Sequence, residues 1–161
     1  MANLSDQRFL RTVLRRALRS GAAASIVSIV VAAGLGRRRT GSAASAANAP
    51  SHWIWKRRAL RRHGLSARYT LPGYLIHHAS SVWWALAFEA WRQHRPRHAL
   101  AKAAAVSALA ALVDYRVVPK RLTPGFEAHL SRPAVALVYA AFAAGLAWGA
   151  RVREAPLRRH R

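Results

Sequence analysis

YTLPGYLIHHASSVWWALAFEAW, residues 69–91, is the stretch that decides the fold class of this chain. Its central part, from Thr70 to Phe88, contains 19 residues without Lys, Arg, Asp or Glu. An α-helix needs about 20 apolar residues to cross the roughly 30 Å hydrocarbon core of a bilayer. We therefore predict a transmembrane helix over about residues 70–91.

Three further blocks of the chain are apolar and poor in charge. They lie at residues 20–36, 99–118 and 133–150. Nearly all Lys and Arg residues fall outside the four blocks, and this separation along the sequence is typical of membrane proteins. We predict one all-α domain over residues 1–161, a transmembrane helical bundle of about four spans with short basic loops. Its main connection is a basic interfacial loop at 37–68, and its end is a basic tail at 151–161.

The charge balance supports this interpretation. The chain has 27 Lys and Arg against 5 Asp and Glu, a net charge of +22, and is 53% hydrophobic. A soluble globule with so one-sided a charge repels itself. A multi-pass membrane protein in contact with anionic lipid headgroups accommodates both properties. The alternative is a basic protein that binds nucleic acid or an anionic membrane surface, but the charge-free blocks argue against it, so no nucleic acid is expected as a partner.

A basic amphipathic pattern at residues 4–20 precedes the first block. Leu10, Leu14 and Leu18 recur at helical spacing among arginines. This N-terminal extension either lies on an anionic lipid surface or continues the next helix outward. A cleaved signal peptide is a further interpretation of the apolar block at 20–36, and the three arginines that follow it argue against cleavage.

Two histidines and two carboxylates fall inside the predicted spans. They are His77, His78, Glu89 and Asp114. On a helix, His78 and Glu89 share one stripe because 11 residues return to nearly the same angle, about 20° off. Ionisable groups in a bilayer usually face the bundle interior. One hypothesis is that His78, Glu89 and Asp114 line one cavity, as a proton relay or a site for a metal or a cationic ligand.

A structural alternative exists for the same four residues. Glu89 and Asp114 would lie at helix ends and pair with Arg92 and Arg116, while the histidines would bond to backbone carbonyls or serines. No HExxH or Glu-x-x-His pattern occurs in the chain, and it contains no Cys. We therefore predict no metal site and no cofactor. A structural, accessory or transport-related role is favoured, and a membrane-embedded enzyme or a metal- or haem-binding protein is the alternative.

The connection DYRVVPKRLTPGFE, residues 114–127, joins the last two predicted spans. Arg116, Lys120 and Arg121 are candidates to hold a lipid phosphate. Alternatively, the connection is a rigid hairpin that sets the angle between the two helices. Pro124-Gly125 is a turn signal, since glycine readily adopts the positive φ of a type II turn.

Small residues form a stripe on the last predicted span. Ala141, Gly145 and Gly149 repeat at four-residue spacing. Small residues at this spacing let two helices approach closely in lipid. The stripe predicts helix–helix self-association of the protein.

Three motifs together resemble small, uncharacterised multi-pass proteins of bacterial inner membranes. The motifs are SHWIW at 51–55, GYLIHH at 73–78 and the connection at 114–127. The resemblance extends over about residues 21–149. It implies a four-helix membrane protein, and it assigns neither an activity nor a functional residue.

Overall fold

The computed structural model describes residues 3–151, and these residues form helices and no strand. The prediction of an all-α fold is confirmed. All of the predicted tail at 151–161 except Arg151 falls outside the described residues.

Four long helices and three short ones follow one another along the chain. They are α1 (Leu4–Thr40), α2 (Ala44–Asn48), α3 (His52–Trp55), α4 (Arg57–Leu60), α5 (Thr70–His94), α6 (Ala99–Leu112) and α7 (Arg132–Arg151). Single 3₁₀ turns lie at Ala49–Ser51, Lys120–Leu122 and Phe126–Ala128, and a π-helical segment at Val113–Val117 extends α6. The long helices coincide with the four apolar blocks.

Helix α1 contains both the amphipathic extension and the first apolar block. It is continuous over 37 residues, which corresponds to about 56 Å. Residues 4–20 thus continue the helix of the first apolar block, which is one of the two interpretations of this segment. The helix ends at Gly41, whose φ of 77° lies in the left-handed region that glycine adopts without strain.

The four long helices form an antiparallel bundle in the order α1, α5, α6, α7, with α7 closing back on α1. A Cβ atom added to Gly21 would lie 2.7 Å from the Cα of Val82, and one added to Gly149 would lie 2.6 Å from the Cα of Ser20. The helix backbones therefore approach each other more closely than larger side chains would allow.

Small residues are frequent in the interior of this bundle, beside a few large side chains such as Phe88 and Leu146, and large apolar residues also cover its outside. The buried positions of α1 are mostly alanine, serine and glycine. Large apolar side chains are exposed on every long helix: Leu10, Leu14, Leu18, Ile26 and Val30 on α1, Leu71, Leu75 and Trp83 on α5, Leu100, Leu109 and Leu112 on α6, and Leu137 and Trp148 on α7.

Two of the described helices, α1 and α7, are long and apolar enough to cross a membrane by length and composition alone. Helix α5 has sufficient length but carries His, Ser and Glu within it. Helix α6 has only 14 α-helical residues before the π-helical segment. Polar residues lower the hydropathy of α5 and α6, and several of them, such as Ser81 and Ser107, are buried inside the bundle.

Residues 44–51, which fall within the predicted basic interfacial loop at 37–68, are instead helical and mostly buried. Ala44, Ala46 and Ala49 are buried in α2 and the 3₁₀ turn after it. Small side chains let the segment pack against the ends of α1 and α5: an added Cβ on Gly36 would lie 3.3 Å from the Ala46 Cβ, and Gly73 lies directly against the backbone of Ala47. The connection at 37–68 is therefore partly a packed layer of short helices.

Candidate functional site: a cavity at one end of the bundle

A cavity of about 440 Å³ lies between α5, α6 and α7, in the half of the bundle nearest the long connections. Aromatic side chains form much of its wall: Trp53, Trp83, Trp84, Phe126, Tyr139 and Phe142. Its polar lining includes His77, Ser80, Ser81 and Asp114. Among the lining residues that the structure describes there is no Lys or Arg, in a chain that has 27 of them.

Two connections meet over the end of the cavity. The indole Nε1 of Trp53 donates a hydrogen bond to the carbonyl oxygen of Thr123 at 2.9 Å. Gly125 has φ 81° and ψ −4°, the geometry of the third residue of a type II turn. Any Cβ at this position would lie 2.9 Å from the carbonyl oxygen of Ala49. The turn predicted at Pro124-Gly125 thus holds the 114–127 connection against the segment before α3.

His77 lies in the wall of the cavity and is anchored to α1. Its Nε2 atom lies 3.0 Å from the Ser28 hydroxyl, and its ring meets the edge of Phe126 at a centroid distance of 5.7 Å. The hydrogen bond fixes the orientation of the imidazole ring.

Asp114 enters the cavity from the π-helical end of α6. Its Oδ2 atom accepts a hydrogen bond from the Tyr139 hydroxyl at 2.6 Å. No Lys, Arg or His of residues 3–151 forms an ion pair with this carboxylate, so the predicted pairing with Arg116 is absent. A carboxylate accepts up to about four hydrogen bonds, and Asp114 therefore keeps acceptor capacity toward the cavity.

Tyr139 is a site residue that the sequence analysis did not identify. It lies on α7, 25 residues from Asp114. Ser107 of α6 donates a hydrogen bond to its carbonyl oxygen at 2.6 Å. The signal in the sequence was weak, since a tyrosine within an apolar helix is ordinarily read as a packing or interface residue.

His78 and Glu89 lie apart from this cavity. The Nδ1 atom of His78 lies 2.8 Å from the Ser25 hydroxyl of α1, and its ring packs beside Tyr74. Glu89 lies toward the opposite end of α5, where its Oε2 pairs with the Arg92 guanidinium at 2.7 Å. These are the contacts that the structural alternative predicts, a serine for the histidine and Arg92 for the glutamate. The hypothesis that His78, Glu89 and Asp114 line one cavity is wrong, because α5 separates His78 and Glu89 along its length and directs His78 toward α1.

A second buried polar cluster accompanies Glu89. Its Oε1 atom and the Nζ atom of Lys102 are buried without a hydrogen-bond partner. The Lys102 ammonium lies 5.6 Å from the ring centroid of Trp91, at cation–π distance. This cluster is separate from the cavity that contains His77 and Asp114.

Metal binding has no geometric support within residues 3–151. No group of three or more His, Cys, Asp or Glu side chains there could hold a metal ion. His77 and Asp114 are both in the cavity wall but form no ion pair with each other.

A basic groove lies outside the bundle at the same end. Lys120 and Arg121 of the 114–127 connection line it together with Lys56, Arg57 and Arg58. Ile54, Trp55 and Leu60 provide apolar surface beside these cations. Arg116, the third predicted phosphate contact, is exposed but does not line the groove. Lys56 has φ 50° and ψ −141°, a conformation that is strained for a residue with a side chain.

The predicted self-association stripe is occupied within the chain itself. Gly145 faces Ala24 of α1, where an added Cβ would lie 2.5 Å from the Ala24 Cα, and Gly149 faces Ser20. The two glycines thus join α7 to α1 of the same molecule, so the surface that the stripe would offer to a second copy is covered.

Two histidines from different connections lie side by side, His63 before α5 and His129 before α7. The rings of His63 and His129 are 5.5 Å apart in an edge-to-face arrangement. Burial, together with the neighbouring His63, lowers the pKa of His129 below its ordinary value of 6.5. The Nε2 atom of His129 is buried without a partner. His129 therefore stays uncharged at pH values at which an exposed histidine begins to take up a proton.

Comparison of the chain with protein-family models, with curated proteins and with solved structures finds no match.

Proposed function

We propose that the protein is a small four-span integral membrane protein of a bacterial inner membrane, and that its cavity binds a small molecule within the bundle. The observation that carries the proposal is the reversed distribution of side chains. Alanine, serine and glycine make up most of the buried positions of α1, and exposed leucine side chains lie on all four long helices, although Phe88, Phe142 and Leu146 are buried between the helices. In water this arrangement exposes a large apolar surface, whereas lipid solvates it favourably.

The dimensions of the weaker helices support four spans. The π-helical segment continues α6, so that Ala99–Val117 is helical without a break. This length corresponds to about 28 Å, close to the hydrocarbon thickness. Polar residues of α5 and α6 that lower their hydropathy, such as His77 and Ser107, are bonded to neighbouring helices. They therefore do not meet lipid unsatisfied.

Side-specific labelling of single cysteines tests the four spans. The chain has no native Cys, so Leu65→Cys, His98→Cys and Leu122→Cys each provide one reactive thiol in a connection. With four spans, an impermeant maleimide labels the first and third from one side of a vesicle and the second from the other. Leu109→Cys, on the outer face of α6, should be labelled only after the membrane is dissolved in sodium dodecyl sulfate.

Other labelling patterns would contradict the proposal. Equal labelling of Leu65→Cys and His98→Cys from one side would show that α5 does not cross. Ready labelling of Leu109→Cys in intact vesicles would show that α6 does not lie within the membrane.

We also infer that the basic groove holds anionic lipid headgroups, because five cations from two distant segments converge beside apolar side chains. Native mass spectrometry of the purified protein should show more bound phosphatidylglycerol than phosphatidylcholine. The double variant Lys120→Gln/Arg121→Gln should lose most of this preference. Arg95→Gln/Arg97→Gln, which removes two exposed cations at the other end, is the matched control. If both variants lost the preference for phosphatidylglycerol equally, the preference would come from the net charge of the protein and not from the groove.

A further inference from the structure

We propose that the cavity binds an organic cation, an ammonium group carried on an apolar body. The proposal names the ligand class of the cavity and so rests on the binding role proposed above. It starts from the charges around the cavity. Asp114 is the one acidic residue among the described lining residues, and it has no cationic partner within residues 3–151. A carboxylate with no counterion in an apolar cavity stabilises a positive charge placed near it.

The aromatic walls favour the same kind of ligand. Three of the six tryptophans of the chain line the cavity, together with Phe126, Tyr139 and Phe142. The faces of aromatic rings attract cations, and aromatic cages are used to recognise quaternary ammonium groups. An ammonium group among these rings is thus stabilised by the carboxylate and by the ring faces, while its apolar substituents contact the remaining walls.

The basic character of the chain makes this local charge more informative. Cations are abundant at both ends of the bundle, yet no described Lys or Arg enters the cavity wall. An anionic ligand would therefore meet the Asp114 carboxylate without a neutralising side chain. The lining thus discriminates against anions by repulsion as well as favouring cations by attraction.

The volume and the position of the cavity allow such a ligand to enter from the membrane. A cavity of about 440 Å³ lies within the range of small-molecule sites. Trp83 lines the cavity and is 68% exposed on the outer face of α5, and Leu122 lines it and is 42% exposed beyond the end of α6. The cavity wall therefore reaches the outer surface at α5 and in the connection after α6.

The source of the ammonium group is either a free amphipathic cation or the trimethylammonium headgroup of a lipid. Both offer the same chemistry to Asp114 and the aromatic walls. The experiment below includes one measurement that separates them.

Binding of phenyltrimethylammonium to the full chain in a neutral detergent tests the proposal. Isothermal titration calorimetry, corrected with protein-free micelles, measures its dissociation constant. tert-Butylbenzene has the same shape with carbon in place of the charged nitrogen, so it serves as the neutral control ligand. The wild type should bind the cation at least about tenfold more tightly than the neutral isostere at equal micellar concentration.

Two matched variants locate the charge that is responsible. Asp114→Asn keeps an oxygen for the Tyr139 hydroxyl but removes the negative charge, and should weaken cation binding about tenfold while leaving tert-butylbenzene binding unchanged. Glu127→Gln removes a nearby exposed carboxylate that accepts a hydrogen bond from Thr123 and is not in the cavity wall. It should bind the cation within about twofold of the wild type.

Several results would overturn the proposal. Equal affinity of the wild type for the cation and its isostere would do so without any variant, and so remains decisive if Asp114→Asn fails to fold. Equal loss in Glu127→Gln would show a long-range charge effect rather than a site. If cysteine labelling contradicted the four spans while Asp114→Asn still weakened cation binding, the membrane topology would be wrong and the cation site would be supported.

A comparison of two membranes identifies the source of the cation. Binding in phosphatidylglycerol nanodiscs that disappears in phosphatidylcholine nanodiscs would show that the lipid trimethylammonium headgroup occupies the site. Equal binding in both would show that the site takes a free cation. Absence of binding in both membranes would contradict the proposal.

Discussion

Adjacent residues on one helix have different environments in this protein, and His77 and His78 illustrate it best. Successive residues of an α-helix differ by about 100° in direction. His77 consequently lies in the cavity wall beside Ser28, whereas His78 bonds to Ser25. The neighbouring serines of α1 satisfy both rings, and only one ring is placed where it can contact a ligand.

Glycines at the helix interfaces set the distance between backbones, and Gly145 gives a direct test. Gly145→Val would place its Cβ 2.5 Å from the Cα of Ala24. Because backbone cannot move aside as a side chain can, we expect a loss of stability of about 1–3 kcal/mol or more. Thermal unfolding in detergent, followed by circular dichroism, measures it.

The control for this substitution lies on α1. Gly34→Ala has no atom within 4 Å of its new Cβ, and alanine is favoured over glycine in a helix by about 1 kcal/mol. It should leave the stability unchanged or raise it. Equal destabilisation by both substitutions would contradict the interfacial role of Gly145.

His129 makes the stability dependent on pH. Its pKa is lower in the folded chain than its ordinary value of 6.5. Below about pH 6.5 the unfolded chain therefore binds a proton that the folded chain excludes, and the unfolding free energy decreases as pH falls. His129→Gln should make this decrease shallower, as measured by chemical unfolding in detergent between pH 5 and 8, which spans the usual histidine range.

A second histidine variant separates this effect from a general one. His98 is exposed and has a φ of 60°, a conformation that asparagine tolerates well. His98→Asn should keep the pH dependence of the wild type. A slope altered equally in both variants would exclude His129 as its source.

At the level of elements, the packed segment after α1 is the largest departure from the sequence analysis. Asn48 is fully buried and joins three parts of the chain. Its Nδ2 donates to the carbonyl oxygens of Arg62 and Gly64 at 2.9 and 3.0 Å, and its Oδ1 accepts from the Thr70 hydroxyl at 2.6 Å. One side chain thus holds α2, the basic connection and the start of α5 together.

Removal of Asn48 should loosen the basic connection. Asn48→Ala removes all three hydrogen bonds, each of which contributes about 0.5–1.5 kcal/mol to stability. Limited trypsin digestion should then cut faster after Lys56, Arg57 and Arg58. Asn48→Asp places a buried carboxylate oxygen against the carbonyl oxygens of Arg62 and Gly64, so its cleavage rate should be at least as high as that of Asn48→Ala. Unchanged cleavage in Asn48→Ala would show that packing alone holds the segment.

At the level of the whole molecule, the outer surface determines the environment in which the bundle is stable. Large apolar side chains surround all four long helices, and the charges concentrate at both ends. The polar groups inside are largely bonded to one another. The bundle therefore combines an apolar exterior with a mostly apolar internal cavity that contains the Asp114 carboxylate.

A charge on the outer face of α6 tests this environment. Leu109 is 51% exposed near the middle of the Ala99–Val117 helix. Leu109→Arg should reduce membrane integration, because an arginine at the centre of a span costs about 2.5–3.5 kcal/mol on insertion scales. The carbonate-resistant membrane fraction measures integration.

Leu4 provides the matched position. It is 72% exposed at the outer end of α1, beyond the apolar block. Leu4→Arg should integrate like the wild type. Normal integration of Leu109→Arg would show that α6 is not surrounded by lipid.

The sequence alone determined the helical class and the positions of the four long helices, because the length and the apolar composition of each block are local properties. It also indicated the turn at Pro124-Gly125, since a glycine after proline encodes that backbone conformation. Only the tertiary structure decided that His77, rather than His78 or Glu89, shares a cavity with Asp114 and Tyr139. It likewise decided that residues 44–51 are packed and that Gly145 and Gly149 face α1. The physical reason is that helical period gives the direction of a side chain on its own helix, whereas the partner it meets depends on the rotation, spacing and depth of the neighbouring helices.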